Sequence, residues 1–212
     1  MKENMRRNVV AFLLLLIFAL TVLVAPTTNT SDGHKVSLEK QSLKKSFQTW
    51  KTIRLGTGLY TAGDFRKALA NKGFVIGHWS DDAIEKPAFA ASISREKKEV
   101  ELVKVTAAEL GFKTGATRGD IYGRAIQLGL KLSPAEVGAQ LRLQYPDQPH
   151  GEWLLIAMEP IEDSSGGLGV AEVGHGGHGG PGLWLCGDNS SSNYVWPGFV
   201  NWIFVRSQDP VD

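Results

Sequence analysis

One cysteine and two closely spaced histidines are the first residues here whose types could do chemistry. Cys186 follows His175 and His178 at the end of a Gly/His stretch. A thiol beside an imidazole base can act as a nucleophile, and two imidazoles can hold a soft metal. No hydrolase motif flanks Cys186, and no third ligand stands at metal spacing. A glycine-rich surface loop over residues 175–182 is therefore the simpler interpretation, and we expect no metal site.

Two other patterns are equally weak as catalytic signals. Glu159, Glu162 and Asp163 could pair for acid–base work, but a solvated strand end explains them. The glycines of Gly56–Gly58 lack the preceding strand, third glycine and acidic partner of a nucleotide site. We therefore expect no cofactor and no enzymatic activity.

The C-terminal segment Gly182–Arg206 carries the strongest functional pattern. Trp184, Trp196 and Trp202 punctuate a run of small and polar residues. Large aromatic side chains anchor a segment by burial, and the small polar residues between them stay open to a ligand. The alternative is an ordinary surface loop beside an edge strand. The candidate ligand-binding residues are Cys186, Asp188, Asn189, Ser190, Ser191, Asn193, Tyr194, Val195, Gly198, Phe199 and Asn201.

The N-terminus has the pattern of an export signal. Lys2, Arg6 and Arg7 precede an apolar run from Val9 to Ala25. Residues 1–25 are predicted to be an uncleaved membrane anchor, with the basic flank in the cytoplasm and the rest outside. The alternative is a cleaved signal peptide and a secreted protein.

Composition limits the remaining classes. The 212 residues include 23 basic and 22 acidic side chains, for a formal net charge of +1. This balance gives no global field for nucleic acid, so we expect no nucleic-acid partner. A single cysteine excludes an internal disulfide framework.

The rest of the chain divides into a linker and two folded segments. Residues 26–50 are polar and lysine-rich and are predicted to be a linker. Residues 51–98 are predicted to form a small N-terminal unit, in which Thr61 caps a helix over Asp64–Asn71 and Gly73 ends it.

The second segment, 99–207, is predicted to be an α+β domain. A strand near Glu99–Val105 precedes a helix over Arg118–Leu128, which Thr117 caps. A second helix is predicted from the Ser133–Pro134 pair to about Leu143. The predicted strands that follow are Trp153–Met158, Leu168–Val173, Leu183–Leu185 and Trp202–Val205.

This order of elements resembles the C-type lectin-like domain, which has one strand, two helices and then an antiparallel sheet, and the resemblance implies that the strands here form an antiparallel sheet. The chain also resembles a group of small bacterial proteins in its segments Arg54–Leu59, Ala108–Phe112, Asp120–Tyr122, Leu128–Leu130, Pro134–Gly138, Leu141–Tyr145, Gly151–Ile161, Gly182–Leu185 and Phe204–Arg206. The C-terminal block looks like the variable region of a protein diversified by a diversity-generating retroelement. Such copying replaces adenines, chiefly in Asn codons, and cannot produce Trp. Every residue of 186–201 except Trp196 belongs to the reachable set.

The resemblance implies a cell-surface or secreted protein that binds a macromolecular or cell-surface ligand through variable loop 186–201. The calcium-dependent sugar site of true C-type lectins is not expected, because Trp196 and Trp202 are not followed by Asn-Asp. Two alternatives stay open, a cell-envelope hydrolase and a structural envelope protein without a ligand.

Overall fold

The structure, a computed structural model, describes residues 47–177 and 180–207. The predicted anchor 1–25, the linker up to residue 46, and His178 lie outside the described residues. Within the described part of the chain, no helix is both long enough and apolar enough to span a bilayer.

Five helices and eleven strands are described in residues 47–177 and 180–207. The helices are α1 Ala62–Asn71, α2 His78–Ala83, α3 Pro87–Ser92, α4 Arg118–Gln127 and α5 Glu136–Gln144. The strands are β1 Lys51–Leu55, β2 Val75–Ile76, β3 Lys98–Thr106, β4 Ala116–Thr117, β5 Leu130–Lys131, β6 Trp153–Ile156, β7 Ile161–Glu162, β8 Leu168–His175, β9 Leu183–Asn189, β10 Val195–Trp196 and β11 Asn201–Arg206.

The strands form one large curled sheet and a separate pair. The sheet has the order β1-β3-β11-β6-β8-β9-β2, with β5 added to β11 and β7 to β8. Most neighbours are antiparallel, whereas β11–β6 and β2–β9 are parallel. The predicted α+β class is confirmed at this level, and the sheet is mixed where a purely antiparallel one was expected.

The two capped helices are confirmed. The hydroxyl of Thr61 accepts from the amide of Asp64, whose carboxylate accepts from the Thr61 amide in return. Thr117 caps α4 through the amide of Asp120. Both caps satisfy backbone donors that have no partner within the helix, which is why the helices begin there.

The predicted start of α5, with Pro134 as the first helical residue, is wrong by two residues. The helix begins at Glu136, and Ser133 lies before it outside any helix or strand. The Ser133 hydroxyl donates to the carbonyl of Ile203 on β11 (3.1 Å), so a tertiary contact takes the group that was expected to cap the helix.

The main sheet crosses the expected boundary at residues 98 and 99. Strand β1 pairs with β3 over its whole length, from Lys51 opposite Leu102 to Leu55 opposite Lys98. Strand β2 pairs with β9 at the other end of the sheet. Residues 51–98 therefore contribute a strand to each end of the sheet that the rest of the domain builds. Strand β1 ends directly before Gly56, so the expectation that no strand precedes Gly56–Gly58 is wrong.

Helices pack on both faces of this sheet. On one face, Gly138 of α5 lies so close to Ala171, Ile156 and Leu185 that a Cβ there would be 2.7 Å from the Ala171 methyl. On the other face, Tyr122 of α4 contacts the ring of Trp202. Alternation of side chains along β6, β8, β9 and β11 supplies both layers of the core.

Candidate recognition surface

The predicted variable loop 186–201 is only partly a loop. Its first four residues complete β9, which ends at Asn189. After a turn, β10 pairs with β4, placing Val195 opposite Thr117 and Trp196 opposite Ala116. A second turn, closed by the Val200 amide donating to the Pro197 carbonyl, leads into β11. The segment is thus fixed at both ends and in the middle.

A chain of aromatic rings supports the segment from beneath. Tyr194 meets Trp196 edge to face at 4.8 Å between ring centroids, and Trp196 meets Trp202 at 5.3 Å. Trp202 contacts Tyr122 of α4, which also contacts Phe204. Trp196 and Trp202 are buried, whereas Tyr194 reaches the surface. Edge-to-face pairs of this kind add to the stabilisation from burial alone.

The outward side chains of this segment form what we call the recognition surface: Asn189, Ser191, Ser192, Asn193, Tyr194, Val195 and Phe199. Phe199 is 78% exposed, Val195 56% and Tyr194 45%, which is unusual for large apolar side chains. Asn189, Ser192 and Asn193 are also exposed, and Ser191 is half-buried. The other predicted site residues Cys186, Asp188 and Asn201 are half-buried on the strands that frame it.

Two predicted site residues are not available to a ligand. Ser190 was expected to be exposed but is fully buried, and its amide donates to the carbonyl of Leu168. Gly198 is buried as well, and a Cβ there would lie 2.4 Å from the carbonyl oxygen of Lys113. The backbone hydrogen bond at Ser190 and the close packing at Gly198 place both residues beneath the surface, although their small side chains suggested a surface role.

Local hydrogen bonds shape the turn after β9. The Asp188 carboxylate accepts from the amide of Asn189 (2.7 Å), and the Asn189 side-chain oxygen accepts from the amide of Ser191 (2.8 Å). The amide of Tyr194 donates to the Ser191 carbonyl (3.2 Å). Asp188 and Asn189 therefore shape the backbone of the surface as well as bordering it.

The tryptophans expected to be framework differ in burial. Trp202 is fully buried and Trp196 is 4% exposed. Trp184 is only half-buried, and its indole N–H donates to the carbonyl of Gly180 (3.3 Å). Trp184 thus packs against the glycine-rich loop instead of filling the main core.

Sequence reasoning missed Glu172, the most unusual acid near the surface. It lies on β8 directly opposite Cys186 of β9, one strand over from Leu155, which is itself opposite Trp202. Burial first, and then the charge of the nearby Asp188 carboxylate, raise the pKa of Glu172 to about 7. A lone acid within the apolar alternation of β8 was the available signal.

The surroundings of Cys186 do not suit a nucleophile. Burial first, and then the charges of Glu172 and Asp188, raise the pKa of its thiol to about 11. Catalytic thiols need the opposite shift, since the thiolate is the reactive form. The acids around Cys186 thus oppose the chemistry that the hydrolase alternative requires.

The other chemical candidates have structural roles here. His175 ends β8, its Nδ1 lies 2.6 Å from the carbonyl oxygen of Gln148, and its ring packs against His150 at 5.2 Å. No group of three or more metal-ligating side chains converges within residues 47–177 and 180–207. The Asp163 carboxylate accepts from the Ser165 hydroxyl and then from the amides of Gly167 and Ser165, which lowers its pKa and closes the β7–β8 turn.

No known family, curated protein or solved structure matches this chain.

Proposed function

We propose that this protein binds a macromolecular or cell-surface ligand through the recognition surface, without chemistry. The observation that carries the proposal is the aromatic chain from Phe204 to Tyr194. It anchors a segment whose outward side chains are largely free of the core. A surface supported in this way can change its side chains without refolding the domain.

The composition of the surface suits recognition. Tyr194 and Phe199 supply contact area with little loss of rotamer entropy on binding. Ser191, Ser192 and Asn193 supply adaptable hydrogen-bond donors and acceptors. Exposed aromatic and aliphatic groups beside small polar ones are typical of binding surfaces on rigid scaffolds.

We further propose that the domain is C-type lectin-like and that a retroelement diversifies its C-terminal segment. Support comes from the order β3, α4, α5, β6, β8, β9, β11, with the recognition surface between the last two strands of that order. The retroelement proposal predicts a neighbouring reverse-transcriptase gene and a near-copy of the codons for residues 186–201 that differs at adenines. A neighbourhood without either would contradict it.

Burial separates the positions of 186–201 that we expect to vary from those that we expect to stay constant. Variants that still fold should retain Ser190 and Gly198, which the fold buries, and Trp196, which anchors the surface. They should differ mainly at Asn193, Tyr194 and the other outward residues. Sequencing many copies of the gene from one population measures this pattern directly.

The direct test exchanges only the recognition surface. Asn189, Ser191, Ser192, Asn193, Tyr194, Val195 and Phe199 are replaced together by other small, polar or aromatic residues. Both proteins are then screened against the same panel of cell-surface extracts. We expect the bound species to change while the unfolding midpoint stays nearly constant, because the framework residues are retained.

A matched control replaces exposed residues of α1 instead, namely Lys67, Ala70 and Asn71. This variant should bind the same species as the parent protein. The proposal is wrong if the exchanged surface leaves binding unchanged, or if the α1 variant alters binding equally. Loss of binding in a chelator would show dependence on a metal that the proposal excludes.

A further inference from the structure

A pocket lies beside the first residues of β3, where Leu55 of β1 is opposite Lys98. The recognition surface lies near the other end of β3, since the Gly198 carbonyl beside Phe199 accepts from the amide of Ala108, just after Thr106. The pocket has a volume of about 410 Å³, within the roughly 300–1,000 Å³ of small-ligand sites. Its lining residues are Arg54, Leu55, Gly56, Thr57, Lys97, Lys98 and Glu99.

The charge of this pocket is positive. Arg54, Lys97 and Lys98 contribute three cations, and Glu99 contributes one carboxylate. The Arg54 guanidinium lies 3.5 Å from the Glu99 carboxylate, so that pair offsets itself. No ion pair within the described part of the chain engages Lys97 or Lys98. Both lysines line the pocket, and the charge of Lys98 also acts on the buried carboxyl group of Glu136.

The glycines of the β1–α1 loop bring these lysines against the loop. Gly56 has φ +67°, and a Cβ there would lie 2.0 Å from the carbonyl oxygen of Glu96. Only glycine combines this conformation with such a close approach to the chain before Lys97. The amide of Thr57 donates to no group among residues 47–177 and 180–207, so a donor is left at the pocket wall.

Helix α5 holds the loop from behind. Gln140 donates from its side-chain nitrogen to the hydroxyl of Thr57 (2.8 Å). The side-chain amide of Gln144 bonds both backbone groups of Arg54. Its oxygen accepts from the Arg54 amide and its nitrogen donates to the Arg54 carbonyl, each at 2.9 Å. Gln144 and Arg54 are ninety residues apart in the chain, so these are tertiary contacts. They fix the loop before any ligand binds. Such preorganisation lowers the entropy that binding would lose.

We propose that this pocket binds the phosphate group of an anionic ligand. A phosphate group offers several acceptor oxygens and up to two negative charges, which match the ammonium groups of Lys97 and Lys98 and the backbone amide of Thr57. The Arg54 guanidinium adds planar donors, since it can turn from Glu99 to a phosphate oxygen. This function is independent of the recognition surface and uses none of its residues.

The test measures phosphate binding by the full chain in detergent. Inorganic phosphate is titrated by calorimetry at constant ionic strength, with chloride as the exchanged anion. The variant Lys97→Gln/Lys98→Gln should bind phosphate roughly five- to tenfold more weakly, as expected for two partly exposed charge contacts. The control Lys67→Gln/Lys72→Gln, on α1 and at its C-cap, makes the same change in net charge at exposed positions and should bind like the parent.

A vesicle arm distinguishes a lipid headgroup from a free phosphate compound. Flotation with phosphatidylglycerol and with phosphatidylcholine vesicles compares the parent chain with the Lys97→Gln/Lys98→Gln variant, so the N-terminal apolar segment is constant. Weaker retention of the variant on phosphatidylglycerol alone assigns the site to lipid headgroups. Equal retention, with phosphate binding weakened in solution, assigns it to soluble phosphate compounds.

Two results would overturn the proposal. One is the absence of measurable phosphate binding by the parent chain. The other is an equal loss of binding in both double variants, which would reduce the effect to overall charge. Neither result would contradict the proposed recognition surface, because the ligand screen tests other residues.

Discussion

At the scale of single residues, Glu172 makes the stability of the folded protein depend on pH. Its carboxyl group lies opposite Cys186 on one face of the sheet, where burial makes ionisation unfavourable. The folded-state pKa of about 7 lies above the ordinary value of 4.5. The folded protein therefore holds this proton more tightly than the unfolded chain does. The resulting stabilisation is complete below pH 4.5 and is lost as the pH rises through 7.

Glu172→Gln should remove this pH dependence. The parent protein should lose up to about 3 kcal/mol of unfolding free energy between pH 4.5 and 8 from this group, because each pKa unit corresponds to about 1.4 kcal/mol. Urea denaturation across this range measures the slope. The exposed Glu162→Gln serves as the matched control and should keep the parent slope. Identical slopes for parent and Glu172→Gln would contradict the assignment.

The aromatic chain makes a second prediction at this scale. Trp202→Ala should destabilise the fold by about 3–5 kcal/mol, since it empties a fully buried site that contacts Tyr122 and Trp196. Phe199→Ala should change stability by under about 0.5 kcal/mol, because its side chain is mostly in solvent. Chemical denaturation of both variants gives the two values. A silent Trp202 change with a severe Phe199 change would reverse framework and surface.

At the scale of elements, the sequence predicted what local chemistry determines. The capping hydroxyls of Thr61 and Thr117 lie beside the amides that they bind, so both helix starts could be predicted from sequence. The apolar runs of β6 and β11 were found for the same reason, since their periodicity is a local property.

Pairings between distant segments could not be predicted in this way. Strand β10 exists because Val195 and Trp196 meet β4, nearly eighty positions earlier in the chain, and nothing local indicates that partner. The same applies to β1, which depends on β3, and to the burial of Ser190 beneath Leu168. Of the candidate site, the anchors Trp196 and Trp202 and the exposed polar residues were foreseen, whereas Glu172 required the register of β8 and β9.

The contact of α2 with the sheet gives an element-scale prediction. The Trp79 ring lies against Gly169 and Gly187, where a Cβ would meet ring atoms at 2.4 and 2.0 Å. Gly187→Ala should therefore cost about 1–3 kcal/mol by overpacking. Trp79→Leu should relieve that clash, so the double variant should be more stable than the sum of the single effects implies. Strictly additive unfolding free energies would show that the two residues do not meet.

At the scale of the whole molecule, the two proposed sites lie near opposite ends of strand β3. The proposed phosphate pocket is lined by its first residues, Lys98 and Glu99, whereas Gly198 of the variable segment bonds Ala108, just after its last residue, Thr106. No internal disulfide can stabilise this sheet, because Cys186 is the chain's single cysteine. Its core is stabilised by side-chain packing. A variable surface at one end can therefore change without disturbing the loop that Gln140 and Gln144 hold at the other.

The last prediction concerns where this molecule is displayed. Lys2, Arg6 and Arg7 flank the apolar run Val9–Ala25, and the positive-inside rule keeps such a flank in the cytoplasm. A reporter fused after Asp212 should then be digested by protease added to intact spheroplasts, while a cytoplasmic marker protein in the same cells survives. The mass of the mature chain separates a retained anchor from a cleaved signal peptide. Full protection of the reporter would place the recognition surface inside the cell and remove the proposed cell-surface ligand, because the two would never meet.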